Sequence, residues 1–501
     1  MANVRWFLTG EDLRDWTPVP VLSVLSPYDE GWALIGLARL PPCTQVYLSH
    51  FREHLEQRLD FGSRTYLEVG RPYWGHHQVT GTKYLATDPV AFPLVVTHFH
   101  ALAPEQGFTL NRHCNLASIG GSNLDRLAAL SLLNSSAALF WLKQVCFCKR
   151  ESADAEADTY YEFAGGKLQQ LPVPRPLVEA GPVRQRAEAL AQRCSDLGAL
   201  IPGLHPRKLF EHPGEAYTDW YRQIRGYQPP HERLNTGWQA AAELGDAWRW
   251  AVEEMHQLRR QMVALQEEMD WLMYGAYDLL PLDHRAVNLY GSPEPWPIDR
   301  MDRPYRLLQH GRDVPTDWPE GQRRLWQARL GAIAENEHVA RIEQPAYKRR
   351  WEEPFDDGDF LRAYEWWLRE KAEWLLEHHH GGGPVELTAW AAELHQDAHV
   401  RAAHEVALEV GCDRGDAAYM RDRERGDFAA HLKRIIEEET VPDDRAAFKK
   451  KHEKLRGIDP SRHLPSGVPR ERFRSLTARP GWYKWAGQDI WGGVKGDLWD
   501  D

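Results

Sequence analysis

Hydrophobic positions follow two different spacings along this chain, and the change between them divides it into two parts. Up to about residue 175 the apolar runs are short, β-prone and interrupted by Gly and Pro. These runs lie at 19–25, 32–37, 65–69 and 94–98. Such runs predict short strands. A longer apolar stretch at about 124–146 predicts a helix in the same part, which is therefore of the α+β type.

From about residue 183 the spacing becomes helical. Apolar side chains recur at intervals of four and three residues, at Val183, Ala187, Leu190, Cys194 and Leu197. This spacing puts them on one face of an α-helix. A second stripe of this kind runs from Trp248 to Leu272, in a segment without Pro. Because a Pro- and Gly-containing connection separates the stripes, they predict a long antiparallel helical hairpin.

Further amphipathic segments predict a helical remainder. They lie at 321–342, 360–377, 387–410 and 428–439, and the Gly-rich stretch His378–Pro384 predicts a loop between two of them. The predicted fold is an α+β domain followed by a mainly α-helical region with the long hairpin. We place its units at 1–178 (α+β), 179–285 (hairpin), 286–380 (helical domain), 381–440 (helical segment) and 441–501 (basic, Trp-rich irregular tail).

Charge restricts how the chain could meet nucleic acid. The 501 residues carry a formal net charge of −12, which argues against a protein that coats nucleic acid through bulk charge. Basic clusters at 341–350, 445–456 and 470–479 still allow local contacts, although for each cluster alone a solvated helix face is the better interpretation. We expect a cytoplasmic protein, because six cysteines suggest no disulfide framework and neither a signal peptide nor a membrane-spanning run is evident.

Catalytic motifs are not found in the sequence. A methyltransferase that acts on DNA bases needs a Gly-rich turn for S-adenosylmethionine and an Asn/Asp-Pro-Pro-Tyr/Phe motif for the flipped base, and neither occurs. A nuclease-type set of two acidic residues and a lysine and a GxxxxGK[ST] phosphate loop are also missing. His98 and His100 would share one face of a predicted strand, but without matching Cys or carboxylate ligands we favour a polar core or a DNA-facing surface over a metal site.

Two phrases carry a family resemblance. Residues 132–144 read LLNSSAALFWLKQ, and residues 161–174 read YEFAGGKLQQLPVP. Together they resemble the end of the target-recognition domain in adenine-specific DNA methyltransferases of the type I, type IIG and PglX (BREX) kind. Other segments resemble the same family in the same order, so that the resemblance covers about residues 1–355. These segments lie at 10–16, 26–29, 65–74, 96–100, 262–274 and 342–351.

The resemblance implies a DNA target-recognition portion of a methyltransferase system in bacterial phage defence or restriction-modification. The family's catalytic half has no counterpart here, so the chain is either a split subunit or the product of a truncated gene. S-adenosylmethionine is then expected on a separate catalytic chain or domain, with no cofactor in this chain. The implied partners are double-stranded DNA, that methyltransferase subunit and other phage-defence proteins, but no membrane. The acidic charge motivates an alternative, a structural scaffold that docks defence proteins without contacting DNA.

A recognition domain places a few side chains against base edges and many against phosphates. The segment 71–78 interleaves cations, aromatic rings and hydrogen-bonding groups, although it could equally be an aromatic loop packed on its own core. The predicted DNA-binding residues are Arg64, Arg71, Tyr73, Trp74, His76, Gln78, Lys83, Arg112, Lys143, Lys149, Lys348, Arg349 and Arg350. For Asn134, Ser135 and Ser136 we expect capping or close packing rather than base contact.

Overall fold

A computed structural model describes most of the chain. The described residues are 4–10, 12–18, 22–60, 63–77, 79, 81–85, 88–104, 108–111, 113–119, 125–150, 158–212, 215–219, 230–280, 294–380, 386–440, 484–485 and 488–489. Gln78, Arg112 and nearly all of the predicted tail at 441–501 lie outside them.

The first part of the chain combines small sheets with helices. Its strands are β1 (Val4–Leu8), β2 (Leu13–Arg14), β3 (Thr17–Pro18), β4 (Leu22–Leu25), β5 (Pro89–Pro93), β6 (Val95–Val96), β7 (Phe108–Leu110), β8 (Cys114–Ser118), β9 (Phe147–Arg150) and β10 (Tyr160–Glu162). Strand β1 pairs antiparallel with β4 and parallel with β7. Strand β5 pairs antiparallel with β8, and β10 lies antiparallel between β6 and β9.

Two of the four predicted strand runs contain strands, at Leu22–Leu25 and Val95–Val96. The other two, 32–37 and 65–69, form turns and isolated bridges instead. The helices of this part are α1 (Pro42–His50), α2 (Arg52–Glu56), α3 (Gly81–Tyr84), α4 (Arg126–Leu133), α5 (Ser136–Val145), α6 (Gly165–Leu168) and α7 (Arg175–Val178).

The helix predicted at 124–146 is broken in two. The hydroxyl of Ser135 accepts a hydrogen bond from the amide of Ala138 (3.2 Å) and donates one to the carbonyl of Leu132 (2.7 Å). Ser135 therefore ends α4 and caps α5, because its side chain satisfies an amide that has no partner within the helix. The expectation of a capping role at this position is confirmed.

The predicted hairpin is formed by α8 (Pro182–Leu200) and α9 (Ala241–Ala276). Arg186, near the start of α8, pairs with Glu268, near the end of α9 (3.4 Å). Gly198, near the end of α8, packs on Asp15, which pairs with Arg259 earlier in α9. The two helices are therefore antiparallel, as predicted. Helix α9 has 36 residues and is about 54 Å long at the usual helical rise.

The remaining helices follow the predicted segments. They are α10 (Pro304–His310), α11 (Glu320–Glu335), α12 (Glu337–Ile342), α13 (Asp357–His379), α14 (Leu387–Leu394), α15 (Ala398–Asp413), α16 (Ala417–Arg425) and α17 (Phe428–Thr440). Two predicted segments each split into two helices, because Asn336 caps α12 and Asp397 caps α15 through side-chain hydrogen bonds to backbone amides.

Two large hydrophobic cores share α9. The first core contains α4, α5, α8 and the part of α9 from Met255 onward, and it extends to Trp351. The second core contains α13–α17 together with Leu244, Trp248 and Ala251 of α9. Within the described residues, no helix is both long enough and apolar enough to cross a membrane.

Candidate nucleic-acid interface

The end of α9 carries buried charges in the middle of an apolar stripe. Glu267, Glu268 and Asp270 are each at most 1% exposed. A buried carboxylate is tolerated only when it is paired. Arg303 pairs with Glu267, and Arg329 (2.8 Å) and Arg186 (3.4 Å) pair with Glu268. These pairs hold α8, α9, α10 and α11 against one another.

Lys348 is at the centre of this ionic network. Its Nζ atom lies 2.7 Å from Asp270, 2.7 Å from Glu343 and 3.1 Å from Glu267. Burial alone lowers the pKa of Lys348, but the carboxylates outweigh burial and raise it. Burial alone would raise the pKa of Glu267, but Lys348 and Arg303 lower it to about 2. Both groups are therefore charged at neutral pH.

The same network reaches the LLNS phrase at the α4–α5 junction. Asp270 accepts hydrogen bonds from the amide (2.8 Å) and the hydroxyl (2.7 Å) of Ser136. The amide oxygen of Asn134 accepts one from Arg349 (2.8 Å) and one from the backbone amide of Ala101 (2.9 Å). The polar residues of this phrase therefore join the α+β part to α9 and to the segment around residue 349, and they lie in the interior.

A cleft of about 930 Å³ lies beside the network. One wall comes from Arg300–Asp302 and α10, and the other comes from residues 344–353, while the α+β part contributes His98. The lining residues are His98, Arg300, Met301, Arg303, Tyr305, Arg306, Gln309, Gln344, Pro345, Ala346, Lys348, Arg349, Arg350, Trp351 and Glu353. Six of these are Lys or Arg and one is a carboxylate, and four of the six, Arg300, Arg306, Arg349 and Arg350, lie outside the pairs with α9, so the cleft is basic in an acidic protein.

Three guanidinium groups lie toward the solvent side of this cleft. Arg300 and Arg350 are exposed, and they pair with Glu353 and Asp158. Arg306 is half-buried, donates to the side-chain oxygen of Gln309 (3.0 Å) and has no carboxylate partner among the described residues. A concave surface lined by one sign of charge concentrates ions of the opposite sign. The arrangement therefore suits a phosphate chain.

His98 fixes one edge of the cleft. Its Nε2 atom donates to the carbonyl of Pro345 (2.9 Å), and burial lowers its pKa to about 3, which keeps the ring neutral. The neighbouring His100 accepts from Arg14 (3.3 Å). The predicted strand at 94–98 ends at Val96, so the two imidazoles do not share a strand face. Within the described residues, no cluster of metal-ligand groups includes either histidine.

The predicted basic residues differ in whether they are buried or exposed. Lys348 and Arg349 are at most 4% exposed, because buried acceptors on α9 and at Asn134 hold them inside. Lys143 is also buried, and its ammonium group donates to the carbonyl of Ala346 (2.8 Å). In this conformation these three side chains do not reach the surface. Of the segment 348–350, Arg350 alone is exposed.

Of the predicted residues between 64 and 83, Tyr73 forms a small satellite core with Leu40 and Leu48, and Trp74 packs against that core. Tyr73 is buried there. The indole of Trp74 donates to the carbonyl of Ile35 (2.9 Å), and His76 donates to that of Leu25 (2.6 Å). These three side chains thus adopt the alternative arrangement, an aromatic loop packed on its own core.

The cations of the same region are more accessible. Arg64 and Lys83 are exposed. Arg71 is partly exposed, pairs with Asp60 and lies over the ring of Tyr66. Lys149 is exposed on β9 and pairs with Glu162 (2.7 Å). Among the described residues, the accessible predicted cations are therefore Arg64, Arg71, Lys83, Lys149 and Arg350.

Sequence reasoning missed Arg300 and Arg306. Both lie in a Pro-containing stretch with arginines at 300, 303 and 306, but no local spacing brings that stretch beside residues 344–353. A usable signal was present in α9, where Glu267, Glu268 and Asp270 interrupt an apolar stripe. Buried carboxylates require cations from elsewhere in the chain, which would have predicted inward-facing Lys and Arg.

Comparisons with known proteins give two findings. Residues 306–459 match the family model of a domain of unknown function, DUF7008. Over 424 residues, 77% of the chain, the sequence is 26% identical to the adenine-specific methyltransferase PglX of Streptomyces coelicolor (strain ATCC BAA-471 / A3(2) / M145). The match covers 31% of that protein, so the chain spans about a third of this relative's length.

Proposed function

We propose that this chain supplies DNA target recognition to an adenine-specific DNA methyltransferase system of bacterial phage defence. The observation that carries this proposal is the similarity to PglX, which extends over 77% of the chain. The sequence has no Asn/Asp-Pro-Pro-Tyr/Phe motif and no Gly-rich turn for S-adenosylmethionine. We therefore assign methyl transfer and cofactor binding to a separate catalytic chain or domain.

The basic cleft is the proposed place for phosphate contacts. Arg300, Arg306 and Arg350 present guanidinium groups at its solvent side, and guanidinium matches the geometry of phosphate oxygens. Phosphate contacts fix the register of a protein on the duplex without reading its sequence. We assign base reading to the accessible cations of the first part, Arg64, Arg71, Lys83 and Lys149.

The buried ion pairs of α9 help to reconcile DNA binding with the net charge of −12. Glu267, Glu268, Asp270 and Glu343 are enclosed with their cationic partners, so their charges are largely cancelled. Two of these partners, Arg303 and Lys348, line the cleft, so the lining charges left to set its field are Arg300, Arg306, Arg349, Arg350 and Glu353. Local charge rather than total charge then governs the approach of DNA.

The test is binding of a fluorescently labelled pool of random-sequence duplexes, measured by anisotropy at several salt concentrations. We expect the triple variant Arg300→Ala, Arg306→Ala, Arg350→Ala to bind more weakly, with a salt slope that is smaller by about 1 for each phosphate contact removed. The matched control removes three exposed arginines outside the cleft, Arg175, Arg324 and Arg341, each of which pairs with a Glu.

Equal loss of binding in the two triple variants would show that only total charge matters and would remove the cleft from the proposal. A chain that binds no duplex, alone or with its catalytic partner, would refute DNA recognition altogether. Co-purification with defence proteins under that outcome would favour the scaffold alternative.

A further inference from the structure

Three potential metal ligands meet at the edge of the second core, and a fourth, His212, packs beside them. One ligand atom from each of Glu215, Asp397 and His399 lies within 4.8 Å of the others. The ring of His212 is centred 4.2 Å from the ring of His399. Imidazole nitrogens and carboxylate oxygens are the ligands by which proteins bind zinc when cysteine is not used.

Polar atoms in this group lack hydrogen-bond partners. Among the described residues, Nε2 of His212, Nε2 of His399 and Oε2 of Glu215 are buried without one. His212 itself is only 4% exposed. Buried polar atoms are nearly always hydrogen-bonded, so three such atoms of ligand type in one place require a further partner.

The surrounding structure holds these side chains in place. Asp397 caps α15, since its carboxylate accepts hydrogen bonds from the amides of His399 (2.8 Å) and Val400 (3.3 Å). His212 packs edge-on against Trp238, with ring centres 4.4 Å apart. Burial lowers the pKa of His212 to about 3, which keeps the ring in the neutral form that binds metals.

Lys371 of α13 already provides a positive charge to this group. Its ammonium bonds to Glu215 and, at 2.8 Å, to Asp397. In this structure the ammonium bonds to Glu215 and Asp397 but to neither unpartnered Nε2 atom of the two histidines. A divalent cation could bond to both kinds of atom, at the cost of displacing the lysine.

We propose that His212, Glu215, Asp397 and His399 form a zinc site that fastens His212 and Glu215 to the start of α15. Lys371 competes with the metal for the two carboxylates. This proposal is independent of DNA recognition, because it rests on the second core and not on the cleft.

The test is calorimetric titration of the metal-stripped full chain with Zn²⁺. His379 and His380 lie 2.8 Å from Glu393 on the surface and would bind Zn²⁺ nonspecifically, so the background variant carries His379→Ala and His380→Ala. We expect this variant to bind one Zn²⁺. Added to this background, His399→Ala or Glu215→Gln should lower the affinity for Zn²⁺. The loss should be at least as large as that caused by removing an outer-shell partner, which is roughly 10- to 100-fold. Lys371→Met should bind Zn²⁺ more tightly.

A second measurement uses the background variant alone, without replacing any of the four proposed zinc ligands. Hydrogen–deuterium exchange of the background variant should show slower exchange at the start of α15 when Zn²⁺ is added. Failure of the background variant to bind Zn²⁺ saturably would overturn the site. Unchanged affinity in the His399 and Glu215 variants, or unchanged exchange at α15, would also overturn it.

Discussion

Both cores that share α9 bury charged pairs, but the second also buries a cluster of imidazoles around Tyr364. In the first core, Lys348 and Arg303 lie among carboxylates of α9 in a network of full charges. In the second, the hydroxyl of Tyr364 lies between His404 (3.1 Å) and His431 (3.2 Å). Charged pairs are costly to bury and costlier to break, whereas neutral imidazoles are cheap to bury until they gain a proton. The two cores should therefore respond to different perturbations.

The largest expected effect comes from breaking the ionic network. Lys348→Met leaves Glu267, Asp270 and Glu343 without their shared cation, and we expect the free energy of unfolding to fall by about 3 to 5 kcal/mol. Urea denaturation of the full chain measures this. Arg350→Met is the control, because its pair with Asp158 is exposed and should be worth at most about 1 kcal/mol. Similar losses in both variants would mean that the network does not hold the first core.

Acid should affect the second core through His404. Burial, together with His431 and His395, lowers the pKa of His404 to about 3, with Asp422 opposing and Arg434 adding a small effect. In the unfolded chain His404 has its ordinary pKa of 6.5, so the unfolded state binds more protons than the folded state below that pH. Stability should fall as the pH drops below about 6.5, by up to about 1.4 kcal/mol per pH unit.

The measurement is hydrogen–deuterium exchange of α15 between pH 6.5 and 5, corrected for the intrinsic pH dependence of exchange. His404→Gln should reduce the pH dependence, of which His212 contributes a further part, whereas the exposed His338→Gln should not change it. In the first core, Glu267 has a lowered pKa of about 2, so its contribution is kept until the pH falls below about 4.5. Equal flattening by both variants would contradict the assignment to His404.

The smallest expected effects on stability come from replacing two glycines within helices, and they differ in sign. A Cβ at Gly411 of α15 would overlap the ring of Tyr419, which is buried and tied to Glu365 through its hydroxyl (2.8 Å). Gly411→Ala should destabilise the protein by about 1 to 3 kcal/mol. Gly331 of α11 has nothing within 4 Å of the corresponding position, so Gly331→Ala should stabilise by about 0.5 to 1 kcal/mol. Thermal unfolding shifts of the same sign would refute this contrast.

Much of the helical fold could be predicted because hydrophobic spacing reports helices well. What it does not report is where a helix is interrupted. At Ser135, Asn336 and Asp397 the apolar spacing continues, but a side chain that accepts from the backbone starts a new helix. The runs at 32–37 and 65–69 have strand-like composition, yet they form turns in the satellite region instead of sheet ladders.

The candidate site was less predictable. Lys348, Arg349 and Arg350 are adjacent in sequence, but the first two point to buried acceptors and the third to solvent. Those acceptors lie on α9 and at Asn134, far away along the chain, so only the folded structure brings them together. The LLNS phrase, which carried the resemblance, was equally hard to interpret from sequence. Its polar residues form hydrogen bonds to distant parts of the chain in the interior.

Helix α9 also decides how this protein could be divided. The boundary between the two cores falls inside the helix, between Ala251 and Met255, and not in a linker. A fragment that ends there would expose the apolar face of a half-helix on either side. We therefore expect neither half to be expressed as a stable folded fragment, and any exchange of modules would have to replace both cores together.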